Sequence, residues 1–146
     1  MMSKLAKKYV SDNDEVLDVG SMDVNGSYRD LFTNYTGCDI SEGKNVDIIC
    51  KPYSLPFWDN SFDVVISGQT LEHTEAFWDW IKELKRVCKR LLIITAPAEW
   101  EEHCYPIDCW RILPDGMRFL LKDMEILECF RNENDTWGVA QSIIRE

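Results

Sequence analysis

The amino-acid sequence predicts an α/β fold, a mainly parallel sheet with helices between its strands and an antiparallel hairpin at its C-terminal end. Three observations lead there. Seven short apolar runs of four to eight residues, rich in branched aliphatics, have the length and composition of strands buried on both faces. Amphipathic helical patterns lie between several of them. The last two runs are joined only by the polar residues 132–135, too few for a helical crossover, so those strands should return antiparallel.

The first run, 16–19, is followed by a turn at Gly20 and by a helix expected from about residue 26 to 33, burying Leu31 and Phe32. Only residues 41–45 separate the second and third runs, 35–40 and 46–50, whereas a parallel crossover takes a dozen or more residues. A crossover helix should therefore be missing there, leaving exposed apolar surface that motivates a homodimer, with an open cleft as the alternative. After the fourth run, 62–67, comes the best helical pattern in the chain. Phe77, Trp80, Ile81, Leu84, Val87 and Cys88 recur at i, i+3, i+4 and i+7, with Lys82, Glu83, Lys85 and Arg86 opposite and Thr74 as the expected N-cap. The fifth run is 91–96, and a helix should follow from Pro114, whose fixed φ suits a first helical position, with Met117, Leu120 and Leu121 inward. Runs 124–130 and 137–144 form the closing hairpin.

At 146 residues the chain supports one core, so a single domain, 1–146, is expected. Sixteen basic against 26 acidic side chains give a net charge of −10, the wrong sign for gripping a phosphate backbone, and no nucleic-acid partner is expected. The longest aliphatic stretch, Leu91 to Ile94, falls far short of the roughly 18 apolar residues of a membrane-spanning helix. The first ten residues carry three lysines and no apolar stretch, so no secretory signal is read and a cytoplasmic location is the default. The cysteines at 38, 50, 88, 104, 109 and 129 contain no C-x-x-C pair and read as free thiols, several of them buried. His103, Cys104 and Cys109 match none of the common structural zinc spacings, so no metal site is expected.

Chemistry enters at the end of the first run, where Asp18 and Gly20 close an apolar strand before a helix start. Open α/β sheets bind nucleotide-like ligands at the carboxyl ends of their strands, and a glycine there lets the chain turn sharply and a ligand approach the backbone. A dinucleotide fingerprint would need glycines at 20, 22 and 25, but Met22 and Asn25 stand there, which disfavours a pyrophosphate-binding loop. A ligand with an amino-acid end and a ribose fits better, with Asp18 near a cationic group and Asp39, at the end of the second run, taking the ribose hydroxyls. Ordinary strand-end turns are the alternative for both acids.

The segments VLDVGS at 16–21, GCDI at 37–40, LPFWDNSFDVVISGQTLEH at 55–73 and LLIITAP at 91–97 resemble the successive motifs of the class I S-adenosylmethionine-dependent methyltransferases. They stand in the same order and cover nearly the whole chain. Within that family the chain is similar to small bacterial and viral enzymes related to sugar and cell-surface polysaccharide modification. Their His-x-x-Pro-x-Asp-x-Trp-Arg stretch reads here from His103 through Pro106, Asp108 and Trp110 to Arg111. The resemblance implies a Rossmann-like, trimmed class I methyltransferase fold, with S-adenosylmethionine as cofactor and S-adenosylhomocysteine as product. It implies that Asp18 and Gly20 lie at the methionine end, with Ser21 and Met22 beside them, and that Asp39, with Ile40, holds the ribose. The backbone at Ser54 and Leu55 would border the adenine, and Gly68, Gln69 and Thr70 would line the reacting end. Two departures bear on affinity: Met22 stands where many relatives have glycine, and Lys51 where many have an acid facing the adenine amine.

Methyl transfer from a sulfonium is an in-line displacement, so the protein must align donor and acceptor, exclude water and remove a proton from a hydroxyl acceptor. His73 follows the fourth run and His103 the fifth, and histidine titrates in the range that suits this proton. The expected catalytic residues are His103, Asp108 and His73, with Asp108 and Arg111 orienting His103 or holding the acceptor. A backbone-bonded His73 and a loop salt bridge between Asp108 and Arg111 are the structural alternatives. Trp58, Trp78, Trp100, Tyr105 and Trp110 fall on or near loops, where they stack on a ligand or simply pack. The expected reaction is transfer to a small polar acceptor such as a sugar hydroxyl. The alternative is a non-catalytic module that binds S-adenosylmethionine or S-adenosylhomocysteine, or an assembly partner, since the chain is short and carries no obvious lid.

Overall fold

The apolar runs become strands. In the computed structural model, which describes residues 1–104 and 106–143, they are β1 (Glu15–Val19), β2 (Asn34–Asp39), β3 (Ile48–Ile49), β4 (Phe62–Gly68), β5 (Cys88–Pro97), β6 (Glu125–Asn132) and β7 (Asp135–Gln141). One sheet in the order β3-β2-β1-β4-β5-β7-β6 contains them all. From β3 to β5 every neighbouring pair is parallel, while β7 runs antiparallel to β5 and β6 antiparallel to β7. The expected C-terminal hairpin is therefore present. Its second strand ends at Gln141, and residue 144, to which that run was expected to reach, lies outside the described residues.

Strand alternation gives each face of the sheet its own core. Leu17, Val19, Val65, Leu92 and Ile94 pack against Trp80, Ile81 and Leu84 of α2 (Phe77–Val87) and Met117 of α3 (Pro114–Leu120). On the other face Val16, Val64, Ile66, Leu91 and Ile93 pack against Met2 and Leu5 of α1 (Met2–Tyr9). Complete burial of a leucine or isoleucine contributes about 1.5–3 kcal/mol, so these two clusters set the geometry of the strand ends above them. Among the described residues no helix is long and apolar enough to cross a membrane.

Several expectations are corrected. The helix expected at 26–33 is only a 3-10 turn, Arg29–Leu31. Asp23 accepts the Gly26 N–H and Ser27 accepts the Arg29 N–H, so short polar side chains hold the backbone in turns, with Gly26 at φ +125. Leu31 is consequently exposed, and only Phe32 packs against the core beside α1. Thr74 does not cap α2: its hydroxyl donates to the Leu71 carbonyl, closing a 3-10 turn at Leu71–His73, and the helix begins three residues later with Ala76 at the N-cap. The third run shrinks to the two residues of β3. Helix α1 was unforeseen, although Met2, Leu5, Ala6 and Tyr9 carry the i, i+3, i+4, i+7 pattern. The missing crossover is as expected: residues 40–47 form no helix, and Ile40 and Ile49 are exposed at the β3 edge of the sheet.

Candidate functional site

The carboxyl ends of β1, β2 and β4 meet at Gly20, Asp39 and Gly68. Gly20, at φ +82, ends β1, and both its N–H and that of Ser21 donate to the Cys38 carbonyl, at 2.8 and 3.1 Å. A Cβ at Gly20 would overlap the Thr70 side chain, so the loops after β1 and β4 touch there and only glycine fits. Gly68 is covered by Tyr28, whose hydroxyl would lie 2.6 Å from an added Cβ. Gln69 is in the left-handed region at φ 54, its N–H bonded to the Thr95 carbonyl. A strained residue at the end of a central strand, beside two close-approach glycines, is the local geometry of a ligand edge.

Asp39 accepts the Met22 N–H at 3.0 Å on one oxygen and the Ile40 N–H at 2.7 Å on the other. Each oxygen keeps a lone pair, so the carboxylate can accept two further hydroxyl hydrogens, the donor pattern of a ribose edge. Asp18 sits deeper. It is 3% exposed and accepts the Tyr35 hydroxyl at 2.5 Å. Asn45 ties that hydroxyl (2.9 Å) to the Ser21 carbonyl (2.8 Å), and Arg29 bonds Asn45 and Asp47. Burial pushes the Asp18 carboxyl from 3.8 up to about 7, against the hydrogen bond from Tyr35. What Asp18 offers a ligand in this conformation is the electrostatics of a carboxyl beneath the Gly20–Ser21 loop, not an exposed oxygen. Ser21 is likewise buried, its hydroxyl donating to the Asn45 carbonyl. Ser54 and Leu55 lie on the loop after β3, and Leu55 is tied to α2 through Glu83 and Arg86.

The acceptor side is built by the 3-10 turn after β4 and the loop after β5. His73 Nδ1 lies 2.5 Å from the Ile107 carbonyl. A carbonyl only accepts, so Nδ1 carries a hydrogen and Nε2 is the nitrogen turned toward the site. His103 donates its backbone N–H to Asp108 at 2.7 Å, and its ring Nδ1 lies 3.1 Å from the Glu101 carbonyl and 3.3 Å from the Asp108 carboxylate. Asp108 is held bidentately by Arg111 at 2.6 and 2.8 Å, which keeps it well below the usual carboxylate range. The two imidazoles meet edge to face, centroids 5.1 Å apart. The structure thus brings His73, His103 and Asp108 together, and adds Glu72.

Glu72 is fully buried, both its oxygens lack a hydrogen-bond partner among the described residues, and Oε1 lies 3.6 Å from His73 Nε2. Burial raises its pKa. Sequence reading passed over it because an acid after a leucine in a short turn carries no sign of burial. Trp110 stands behind the cluster, its Nε1 donating to the Thr74 carbonyl, whereas Trp58, Trp78 and Trp100 are exposed. Tyr105 lies outside the described residues.

Residues 17–93, just over half of the chain, match a family described as a methyltransferase domain. No curated protein matches. Solved structures match over nearly the whole chain. A SAM-dependent methyltransferase from Aquifex aeolicus is 18% identical, TM-score 0.70, covering 96% of this chain and 88% of that one. A SAM-dependent methyltransferase from Methanosarcina mazei is 18% identical, TM-score 0.76, covering 97% and 98%. The 1,6-didemethyltoxoflavin-N1-methyltransferase of Burkholderia thailandensis, solved with 1,6-didemethyltoxoflavin and S-adenosylhomocysteine, is 13% identical, TM-score 0.78, covering 96% and 76%. At these identities the likeness is one of fold.

Proposed function

The chain belongs to the methyltransferase-domain family, and from that premise we propose that it methylates a hydroxyl of a small polar acceptor, a sugar being the expected class. Its cofactor is S-adenosylmethionine, which supplies an electrophilic methyl on a sulfonium and leaves as S-adenosylhomocysteine. The residues present fit that group. Asp39 keeps two lone pairs for the ribose hydroxyls while fixing the Met22 and Ile40 amides. Gly20 and Gly68 keep the strand ends free of Cβ atoms, and Gln69 and Thr70 border the reacting end from the turn after β4. The Asp18 carboxyl, bonded to Tyr35 at the carboxyl end of β1, is assigned to the cationic methionine end.

One observation carries the acceptor reading: His73, in the turn capped by Thr70 just after Gly68, meets His103 from the loop after β5. In the transfer the acceptor oxygen forms a bond to the methyl carbon as the sulfur–carbon bond breaks, and the hydroxyl proton must leave. His73, its Nδ1–H committed to Ile107, has its Nε2 lone pair available, and Asp108, fixed by Arg111, orients His103 beside it. The pair is the proton's destination.

The test is turnover. With methyl-labelled S-adenosylmethionine and a panel of sugars, nucleotide sugars and small amines, label should pass to a hydroxyl acceptor, and His103→Ala should lower kcat by about 10²–10⁴-fold. Label found only on amines overturns the hydroxyl assignment. Binding of S-adenosylhomocysteine with no turnover on any acceptor identifies a non-catalytic module.

A further inference from the structure

We infer that Glu72, His73 and His103 form a site for a divalent transition-metal ion. One ligand atom from each, a carboxylate oxygen and two imidazole nitrogens, lies within 4.8 Å of the others. Two imidazoles and one carboxylate are a donor set suited to zinc, iron or cobalt and leave coordination positions open for other ligands.

Three independent features point to an ion. The first is the carboxylate. Glu72 is fully buried, and among the described residues neither of its oxygens is hydrogen-bonded; an ionised group so placed is strongly disfavoured unless a positive charge meets it. Its side chain is aimed at the cluster, since Oε1 is 3.6 Å from His73 Nε2. That separation is too long for a hydrogen bond, yet close to the about 3.4 Å that divides two ligands of a tetrahedral ion with bonds near 2.0–2.1 Å.

The second is the orientation of the rings. Ligating histidines characteristically give their other N–H to a carbonyl or carboxylate, which fixes the ring and its tautomer. His73 Nδ1 is held by the Ile107 carbonyl, and His103 Nδ1 faces the Glu101 carbonyl and the Asp108 carboxylate. The third is access. The His103 side chain is 44% exposed whereas that of Glu72 is sealed, so the cluster opens on one side. Among the described residues no lysine or arginine is bonded to Glu72; Arg111 is committed to Asp108.

Only the ion's role rests on the methyl-transfer reading. At the acceptor side a hydroxyl entering an open coordination position has its pKa lowered by the ion. With the ion bound, that proton would pass to solvent water while the two histidines hold the ion; without the ion, the histidine pair remains the proton's destination. The sequence reading missed the site because its carboxylate and nitrogens come from two segments about 30 residues apart, joined by no zinc-type spacing.

Cobalt(II) is the probe, since its visible absorption reports coordination without any need for turnover. Metal-stripped protein titrated with CoCl2 should bind one equivalent and develop visible bands of nitrogen and oxygen ligation. Cys104 and Cys109, exposed thiols in the same loop, are the competing ligands, so the Cys104→Ser/Cys109→Ser variant is titrated beside the wild type and should match it. Glu72→Gln and His103→Ala, checked for folding by circular dichroism, should each weaken Co2+ binding roughly tenfold or more. No saturable binding overturns the inference, as does binding unchanged in Glu72→Gln and His103→Ala, or lost only with the two thiols. A parallel titration with S-adenosylhomocysteine separates the two proposals. Cobalt bound without the nucleoside leaves the ion site and removes the methyl-transfer reading; the nucleoside bound without cobalt does the reverse.

Discussion

Asp18→Asn removes the charge of the buried carboxyl while keeping its shape. Asp18 is 3% exposed and accepts the Tyr35 hydroxyl, with Asp39 repelling and Arg29 attracting its charge at longer range; burial dominates, taking its pKa from 3.8 to about 7. The folded chain therefore holds a proton that the unfolded chain has released. The associated stability is complete below the unfolded pKa of 3.8 and is lost as pH rises through about 7. At about 1.4 kcal/mol per pH unit, the loss has a ceiling of about 4 kcal/mol. Asparagine keeps an oxygen for Tyr35 and carries no charge, so the variant lacks this loss. Urea unfolding of both proteins at pH 5 and pH 8 should show the variant gaining about 2–3 kcal/mol on the wild type between the two. Glu72, raised by burial, and Asp23, Asp47 and Asp108, lowered by their partners, are present in both proteins and cancel. A difference between the two proteins that does not change with pH refutes the reasoning.

Three further outcomes follow from the same contacts. Gly20→Ala places a Cβ at φ +82 against Thr70 and should cost about 1–3 kcal/mol in denaturant unfolding, whereas an unchanged midpoint contradicts the close approach of the two loops. Arg111→Met frees Asp108, so the carboxyl's pKa should climb back towards 3.8 by NMR titration and kcat should fall with little change in cofactor affinity; an unmoved Asp108 means that Arg111 does not hold it. If the exposed Ile40 and Ile49 at the β3 edge bury against a second copy, light scattering should give a dimer that Ile49→Lys dissociates. A wild-type monomer at high concentration ends that proposal.

The strands were legible because burial on both faces forces continuous aliphatic runs, as at Val64, Val65 and Ile66, and because α2 buries one clear stripe. The hairpin was legible from loop length alone. What failed was local polar chemistry. Asp23 and Ser27 tie their own backbone into turns, which breaks the helix expected at 26–33, and Thr74 bonds backward to Leu71 rather than forward into α2. The acidic ends of β1 and β2 were equally visible, but their difference in depth was not. Asp18 lies beneath Tyr35 because β2 pairs with β1 in a register that sets Tyr35 beside Val16, and no one-dimensional pattern reports that. Glu72 was hidden for the same reason, since its burial comes from the loop after β5 closing over it, with Cys109 donating to its carbonyl at 2.7 Å.

The strand ends at Gly20, Asp39 and Gly68 are proposed to hold S-adenosylmethionine. Calorimetric titration of S-adenosylmethionine and S-adenosylhomocysteine into the wild type and Asp39→Ala tests it most directly. Both nucleosides should bind the wild type, and Asp39→Ala should weaken them by about 1–3 kcal/mol, roughly 5- to 150-fold, as the ribose hydroxyls lose their acceptor. Absence of binding to the wild type, or equal affinity in the two proteins, contradicts it.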